Sequence, residues 1–302
     1  MKYCNDIRDL VGKTPLLKLN NLDVKKGVNI FAKLECFNPG GSSKDRVGMY
    51  MIEKAEREGR LKKGYTIIEA TAGNTGIGIA LAALNKGYKV IFIVPEKFSI
   101  EKQKVMMALG GEIINTPKKD GMEGAINLAE KMLKEIPNSI SLKQFENSSN
   151  PLAHYETTGR EIYEDLDGQV DYVVAGAGSG GTYTGVLKYL KENIEDVKGI
   201  LADPEGSIIG GGAEGCYKVE GIGNNFIPKT MEMSLVDDVI KTNDKDSFET
   251  VRTLAKKEGI LVGSSSGAAV FAALKLAEKI DNGNIVVILP DRGDRYFSTD
   301  LF

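Results

Sequence analysis

Lys44 stands in the run Asn38-Pro39-Gly40-Gly41-Ser42-Ser43-Lys44-Asp45-Arg46. Pro and Gly make an irregular loop there, and Ser42 or Ser43 can cap the helix that follows. Lys44 then falls in the first helical turn, at the positive end of the helix dipole. A cation is disfavoured at that place, so a neutral amine or an imine is easier to hold. The chemistry this suits is a Schiff base between the lysine and a carbonyl compound. Taken alone, the run also reads as a surface lysine in a capped turn.

Three further runs carry groups that can grip anions or hydroxyls. Gly176-Ala177-Gly178-Ser179-Gly180-Gly181-Thr182 follows an apolar run and opens a helix. Its glycines let backbone N–H groups approach a phosphate at a helix N-terminus. The same run satisfies G-x-G-x-x-G, and Asp203 ends the next strand about twenty residues on, so a dinucleotide-binding oxidoreductase is the rival reading. Thr71-Ala72-Gly73-Asn74-Thr75-Gly76 is a second strand-to-helix turn, able to grip a carboxylate through its N–H groups. Asn74 can donate to a phenolic oxygen or accept from a neighbouring donor. The plainer reading is an N-cap turn. Gly263-Ser264-Ser265-Ser266-Gly267-Ala268-Ala269 stands before the last long helix and reads, alone, as a well-capped helix start.

Composition removes several classes of chemistry. His154 is the chain's single histidine, which argues against a His-rich metal site and leaves a Ser-His-Asp triad one candidate base. Cys4, Cys36 and Cys216 stand apart with no CxxC spacing and read as reduced thiols of a cytoplasmic protein. A net charge of −3 on 302 residues points to neither nucleic acid nor an anionic membrane. No apolar run has the length of a membrane span, and Lys2 and Asp6 leave no room for a signal-peptide core.

The elements that must position these groups alternate. Strands are expected at Val28–Leu34, Tyr65–Ala70, Lys89–Pro95, Gly111–Thr116, Tyr172–Ala175, Gly199–Ala202 and Asn284–Leu289. Helices are expected at Asn74–Lys86, Ile100–Leu109, Met122–Glu135, Gly180–Lys191, Ser247–Lys257 and Gly267–Ile280. Repeated βα units predict an α/β protein with parallel sheets covered on both faces. A junction is expected near Asn147–Pro151. Gly206–Gly223, with seven glycines, is too long for a plain connector. The glycine-rich and polar runs fall after strands, where open α/β sheets bind ligands.

Together the motifs resemble the cysteine synthase and cystathionine β-synthase family of pyridoxal phosphate (PLP) enzymes, which has the tryptophan synthase β-like fold. The resemblance runs from Leu10-Val11-Gly12-Lys13-Thr14-Pro15-Leu16 to Leu289-Pro290-Asp291-Arg292-Gly293-Asp294-Arg295-Tyr296. Asn38–Arg46 looks like the family's lysine motif and Gly178–Thr182 like its phosphate cup. Thr71–Gly76 is similar to its substrate-carboxylate loop, and Gln144-Phe145 resembles the pair whose glutamine meets the same carboxylate. Ser265 falls where the family places a hydroxyl against the pyridine nitrogen, and His154 is read as structural. Val94–Gln103, Ile136–Ser139 and Thr71-Ala72-Gly73 are most similar to bacterial cystathionine β-synthases that accept O-acetylserine.

The resemblance implies PLP fold type II, two parallel-sheet-based α/β domains with the PLP site between them. It implies a smaller substrate-carboxylate domain at 35–146, with 1–12, and a larger PLP-phosphate-binding domain at 13–34 plus 147–302. It implies PLP held by Lys44, Asn74, Gly178, Ser179, Gly180, Gly181, Thr182 and Ser265. The amino-acid substrate would meet Thr71, Ala72, Gly73, Asn74, Thr75, Gln144, Gly221 and Asn225. Lys44, once displaced, would take the α-proton, and β-elimination would give an aminoacrylate for a second nucleophile: a thiol, sulfide or water. A homodimer and a serine acetyltransferase partner also follow from the resemblance alone. Asn224-Asn225 departs from the family, whose members carry two small residues there or a bulky residue and Asp. The leaving group and the nucleophile stay open. So do two rivals, a nicotinamide-dependent oxidoreductase using Gly176–Gly181 and a family member that only binds.

Overall fold

The computed structural model describes residues 3–96 and 98–302; Met1, Lys2 and Lys97, the last inside the Val94–Gln103 motif, lie outside them. The chain forms two compact units. The smaller comprises the segment ending at Val11 and Lys44–Ser149, the larger Gly12–Ser43 and Asn150–Phe302.

In the larger unit β1 (Leu16–Lys18) pairs antiparallel with β2 (Val28–Leu34). The smaller unit then runs α1 (Lys44–Arg57), β3 (Thr66–Ala70), α2 (Asn74–Ala83), β4 (Lys89–Pro95), α3 (Ile100–Ala108), β5 (Glu112–Thr116), α4 (Gly121–Glu135) and β6 (Ser139–Ile140). The chain returns through α5 (Ser149–Ala153), a π-helical turn (His154–Gly159) and α6 (Arg160–Asp165). It closes the larger unit with β7 (Tyr172–Gly176), α7 (Gly181–Asn193), β8 (Lys198–Pro204), β9 (Asp238–Thr242), α8 (Asp244–Glu258), α9 (Ser264–Ala277) and β10 (Gly283–Leu289).

The apolar runs become central strands because both of their faces are covered. Every residue of β4 after Lys89 is buried, the pattern of a parallel strand between two helical layers. In the smaller unit one layer packs Val47, Met51 and Ile77 of α1 and α2, and the other packs Ala125 and Ala129 of α4 against Ile68, Ile91 and Ile93. In the larger unit α9 lies in one core layer with Ile30 and Val287, and α7 in the other with Val173 and Leu201.

Among the described residues the smaller sheet has the order β5-β4-β3-β6, all parallel. The larger has β1-β2-β10-β7-β8-β9, parallel apart from β1. Each order reverses direction once. The chain moves outward from β3 through β4 to β5, then places β6 on the other side of β3. Likewise it moves from β7 through β8 to β9, then places β10 on the other side of β7. Such reversals open a crevice beyond the strands' carboxyl ends, where α/β sheets take ligands.

Two features differ from the sequence expectation. β1, β6 and β9 are strands of three, two and five residues that no strong apolar run announces. The segment 35–43, expected in the smaller domain, belongs to the larger unit, and the second boundary falls at Ser149 instead of Glu146. Hydrogen bonds explain the first shift. Ser43 N donates to Pro290 O at 2.9 Å, Arg292 N to Gly41 O at 3.2 Å, and Ser42 bridges Asp291. The loop before Lys44 is therefore stitched to the end of β10.

Candidate active site

In the smaller unit the crevice beside β3 gathers three of the expected groups. Lys44 is the first residue of α1 and is half-buried. The turn Thr71–Gly73 leaves the carboxyl end of β3 and leads into α2, whose first residues are Asn74 and Thr75. Thr71 and Thr75 are buried, as is Ala72, while Gly73 and Asn74 are half-buried. Gly73 is the N-cap, and its N–H lies 3.4 Å from Thr71 Oγ1. On the far side of the crevice, the segment after β6 carries Gln144. Thr75 Oγ1 donates to Gln144 Oε1 at 2.6 Å, which ties the two walls together.

Lys44 is placed by helix packing. A Cβ on Gly48 would come within 2.3 Å of Gly78 O, so α1 and α2 touch backbone to backbone. A side chain at either glycine would drive the helices apart. The helix that begins with Lys44 is thus seated directly on the helix that begins at the Thr71–Thr75 turn.

In the larger unit the run Gly176–Gly181 leaves β7 beside β10 and opens α7. Gly180 is its N-cap with φ +80°, a left-handed conformation, and a Cβ there would meet Met231 at 2.5 Å. A Cβ on Gly178 would meet Gly221 O at 2.3 Å. The remaining contacts hold the loop rigid. Asn150 Nδ2 donates to Ser179 Oγ at 2.9 Å, Asn224 Nδ2 to Gly178 O at 2.6 Å, and Gly223 N to Ala177 O at 2.8 Å. Thr182 Oγ1 lies 3.1 Å from His154 Nε2, and His154 Nδ1 lies 2.9 Å from Thr158 Oγ1. The buried His154 therefore backs the loop from within the π-helical turn.

Ser265, second in α9, is 3% exposed. Its Oγ lies 3.9 Å from the position of a Cβ on Gly221, the residue whose carbonyl crowds Gly178. Gly178, Gly221 and Ser265 thus form one continuous surface. Asn225 is exposed, and its Nδ2 donates to Glu214 Oε1 at 3.2 Å within the glycine-rich loop.

Taken unit by unit, the groups suit parts of PLP. A glycine-rich cradle at a helix N-terminus with a threonine hydroxyl suits a phosphate. A serine hydroxyl near the same surface suits a ring nitrogen, and a helix-initial lysine suits an imine. The same groups fit a dinucleotide poorly. Asp203, the acid a ribose would need, is fully buried. Its Oδ2 accepts from Lys241 Nζ at 2.6 Å and from Gly210 N at 3.0 Å.

Sequence reasoning missed Glu69. It sits in β3 two residues before Thr71 and accepts from Leu142 N, Lys143 N and Ser141 Oγ. The available signal was a carboxylate inside an otherwise apolar strand, Ile67-Ile68-Glu69-Ala70. Among the described residues no cluster of His, Cys, Asp or Glu is arranged to hold a metal ion. No helix among them is long and apolar enough to cross a membrane.

Two parallel-sheet α/β units, each with a helix N-terminus at a sheet reversal, define an enzyme architecture of the PLP fold type II kind. The chain belongs to the family described as "Pyridoxal-phosphate dependent enzyme", whose model matches residues 7–291. It is 51% identical to the O-acetylserine dependent cystathionine beta-synthase of Bacillus subtilis, over 100% of this chain and 99% of that one. The solved O-acetylserine dependent cystathionine beta-synthase of Helicobacter pylori superposes with a TM-score of 0.95 at 45% identity, covering 100% of both chains. A hydrogen sulfide-producing enzyme from Fusobacterium nucleatum superposes with a TM-score of 0.93 at 42% identity, covering 98% of this chain and 100% of that one.

Proposed function

We propose that the protein catalyses PLP-dependent β-elimination and β-replacement on a small L-amino acid, forming or breaking a C–S bond. The observation that carries this reading is the seating of α1 on α2, which fixes Lys44 beside the helix that starts at the Thr71–Thr75 turn. PLP, when bound, supplies the electron sink that loosens bonds at the substrate's α- and β-carbons.

The chain's own residues bind, orient and move a proton. Gly178, Ser179, Gly180, Gly181 and Thr182 would hold the cofactor's phosphate, Ser265 would meet its ring nitrogen, and Asn74 its phenolic oxygen. A serine hydroxyl does not protonate a pyridine as a carboxylic acid would, which restrains the sink and favours prompt loss of the β-substituent. Thr71, Ala72, Gly73, Thr75 and Gln144 take the substrate carboxylate. Lys44 Nζ would be the attachment point for the cofactor's carbonyl carbon, and as a neutral amine it can take up the substrate's α-proton. Gly221 and Asn225 stand where the β-substituent leaves and the nucleophile arrives.

O-acetylserine, serine and cysteine are the candidate substrates, and sulfide, homocysteine, cysteine or water the candidate nucleophiles. Likeness to the B. subtilis and H. pylori proteins favours O-acetylserine, and likeness to the F. nucleatum protein favours sulfide release from cysteine. The protein works in the cytoplasm, a reading supported by its free thiols; a homodimer, and serine acetyltransferase as protein partner, are proposed on the family resemblance alone. The test is product analysis with each of the three amino acids, with and without homocysteine. Cystathionine from O-acetylserine, or sulfide from cysteine, supports the reading. No product from any of them by cofactor-loaded protein overturns it.

A further inference from the structure

The β3–β6 ladder stops early. Its register comprises Thr66↔Ser139 and Ile67↔Ile140, and beyond Ile140 the chain leaves the sheet. The backbone donors that a continuing strand would have paired instead meet a side chain. Leu142 N and Lys143 N donate to Glu69 Oε1 at 2.5 and 2.9 Å, and Ser141 Oγ donates to Oε2 at 3.1 Å. Lys143 adopts φ +50°, a left-handed conformation that turns the chain toward Gln144. A carboxylate longer than a peptide group thus holds the two walls of the reversal crevice at a fixed spacing. The spacing leaves Gln144 Oε1 at 2.6 Å from Thr75 Oγ1.

We propose that Glu69 is a positioning residue that sets the affinity of this crevice for the substrate's α-carboxylate by holding the Ser141–Gln144 turn against the Thr71–Thr75 turn. The inference rests on the reading of Thr71–Thr75 and Gln144 as the carboxylate site. Two N–H donors on one oxygen, with the hydroxyl on the other, use both ends of the Glu69 carboxylate. Its charge is spent on the turn and is not presented to the substrate. Burial nonetheless pushes the carboxyl above its ordinary range, against the pull of these donors. A simple packing residue would not require this chemistry, because an apolar side chain would leave two N–H groups unmatched.

The test compares variants of the PLP-loaded protein by steady-state kinetics and by amide hydrogen exchange. Glu69→Ala should raise KM for the amino-acid substrate about tenfold with kcat within about twofold, the signature of lost ground-state and transition-state binding together. Exchange at the Leu142 and Lys143 amides should accelerate in the same variant. Glu69→Gln should restore both readouts, because its amide oxygen accepts the two N–H groups and its NH2 donates to Ser141 Oγ. Should Glu69→Ala fail to fold, Glu69→Asp serves. It keeps the charge but is one methylene short of both donors, and KM should again rise. Gln144→Ala separates the two readings. If it raises KM and no Glu69 variant does, Glu69 has no positioning role. If Gln144→Ala leaves KM unchanged, the carboxylate site itself is misassigned and the inference falls with it. A loss of thermal stability in Glu69→Ala with unchanged KM likewise overturns it.

Discussion

The carbonyl oxygen of Lys44 lies 2.1 Å from the point that a Cβ on Gly78 would occupy. No van der Waals contact is that short, so any side chain at 78 must displace the first turn of α1. The glycine's role is therefore to seat the lysine.

Gly78→Ala should consequently couple a stability loss to a catalytic one. Overpacking a tight helix contact costs about 1–3 kcal/mol, and misplacing a reacting group by about 1 Å costs on the order of a hundredfold in rate. Thermal denaturation and turnover of the same preparation check both. Normal turnover in a destabilised variant would show that the seat does not matter to Lys44.

Lys44→Ala should fold and still take up PLP non-covalently through the Gly178–Thr182 loop. The visible absorbance of lysine-linked cofactor should vanish, and turnover should fall by about 10²–10⁴, the usual worth of a positioned proton-transfer group. Spectra and kinetics of the reconstituted variant report this. Parental activity would refute the assignment of Lys44.

Asn225→Asp tests the proposed place of Asn225 at the mouth of the site. Asn225 now donates to Glu214; an aspartate would lose that donor and face a second carboxylate, which raises its pKa and frees it from Glu214. A carboxylate there can take a proton from water, as an amide cannot. With cysteine at fixed concentration, the yield of serine plus sulfide should rise relative to lanthionine or cystathionine. Chromatography of the products decides it. An unchanged ratio removes Asn225 from the chemistry, and a lower serine share reverses the sign of its effect.

The thiols should divide by burial. Cys4 and Cys216 are exposed, whereas Cys36 is buried and its pKa is pushed up to about 12, mainly by burial and then by the charges of Asp291 and Glu35. The thiolate is the reactive form. Alkylation of native protein near pH 8 should therefore modify two thiols, and the third only on unfolding. Peptide mapping that finds Cys36 labelled in native protein would contradict the packing described.

The parts of the fold legible in the sequence are those whose signal is local. Lys89–Pro95 and Asn284–Leu289 announce themselves as apolar strands, and Pro290-Asp291-Arg292-Gly293-Asp294 after the second announces a turn. The strand Asp238–Thr242 does not, because Asp238 and Lys241 interrupt it and its pairing with β8 supplies the rest. The turn at His154–Gly159 is equally silent, since it packs closely on α7, where a Cβ on Gly185 would meet His154 Cβ and Tyr155 N at 2.8 Å. Lys44, the Thr71–Thr75 turn and the Gly178–Thr182 loop stand out as motifs. Glu69 does not, because its partners lie 72 to 74 positions away. The membership of 35–43 in the larger unit depends in the same way on bonds to Pro290 and Arg292 that no window of sequence contains.

The place of β10 in the larger sheet bears on how the protein is made. β10 lies between β2 and β7, pairing with both. A ribosome delivers β2 first, then β7 to β9, and β10 after them, so the two halves of the sheet wait without the strand that joins them. During that wait β2 and β7 each present an unpaired edge, which invites pairing with other nascent chains. The Ser42–Ser43 stitch to Asp291 and Pro290 waits as well. The loop that leads into Lys44 thus gains its anchor only after Pro290 and Asp291 have emerged, so a nascent chain still short of them lacks the stitch that anchors that loop.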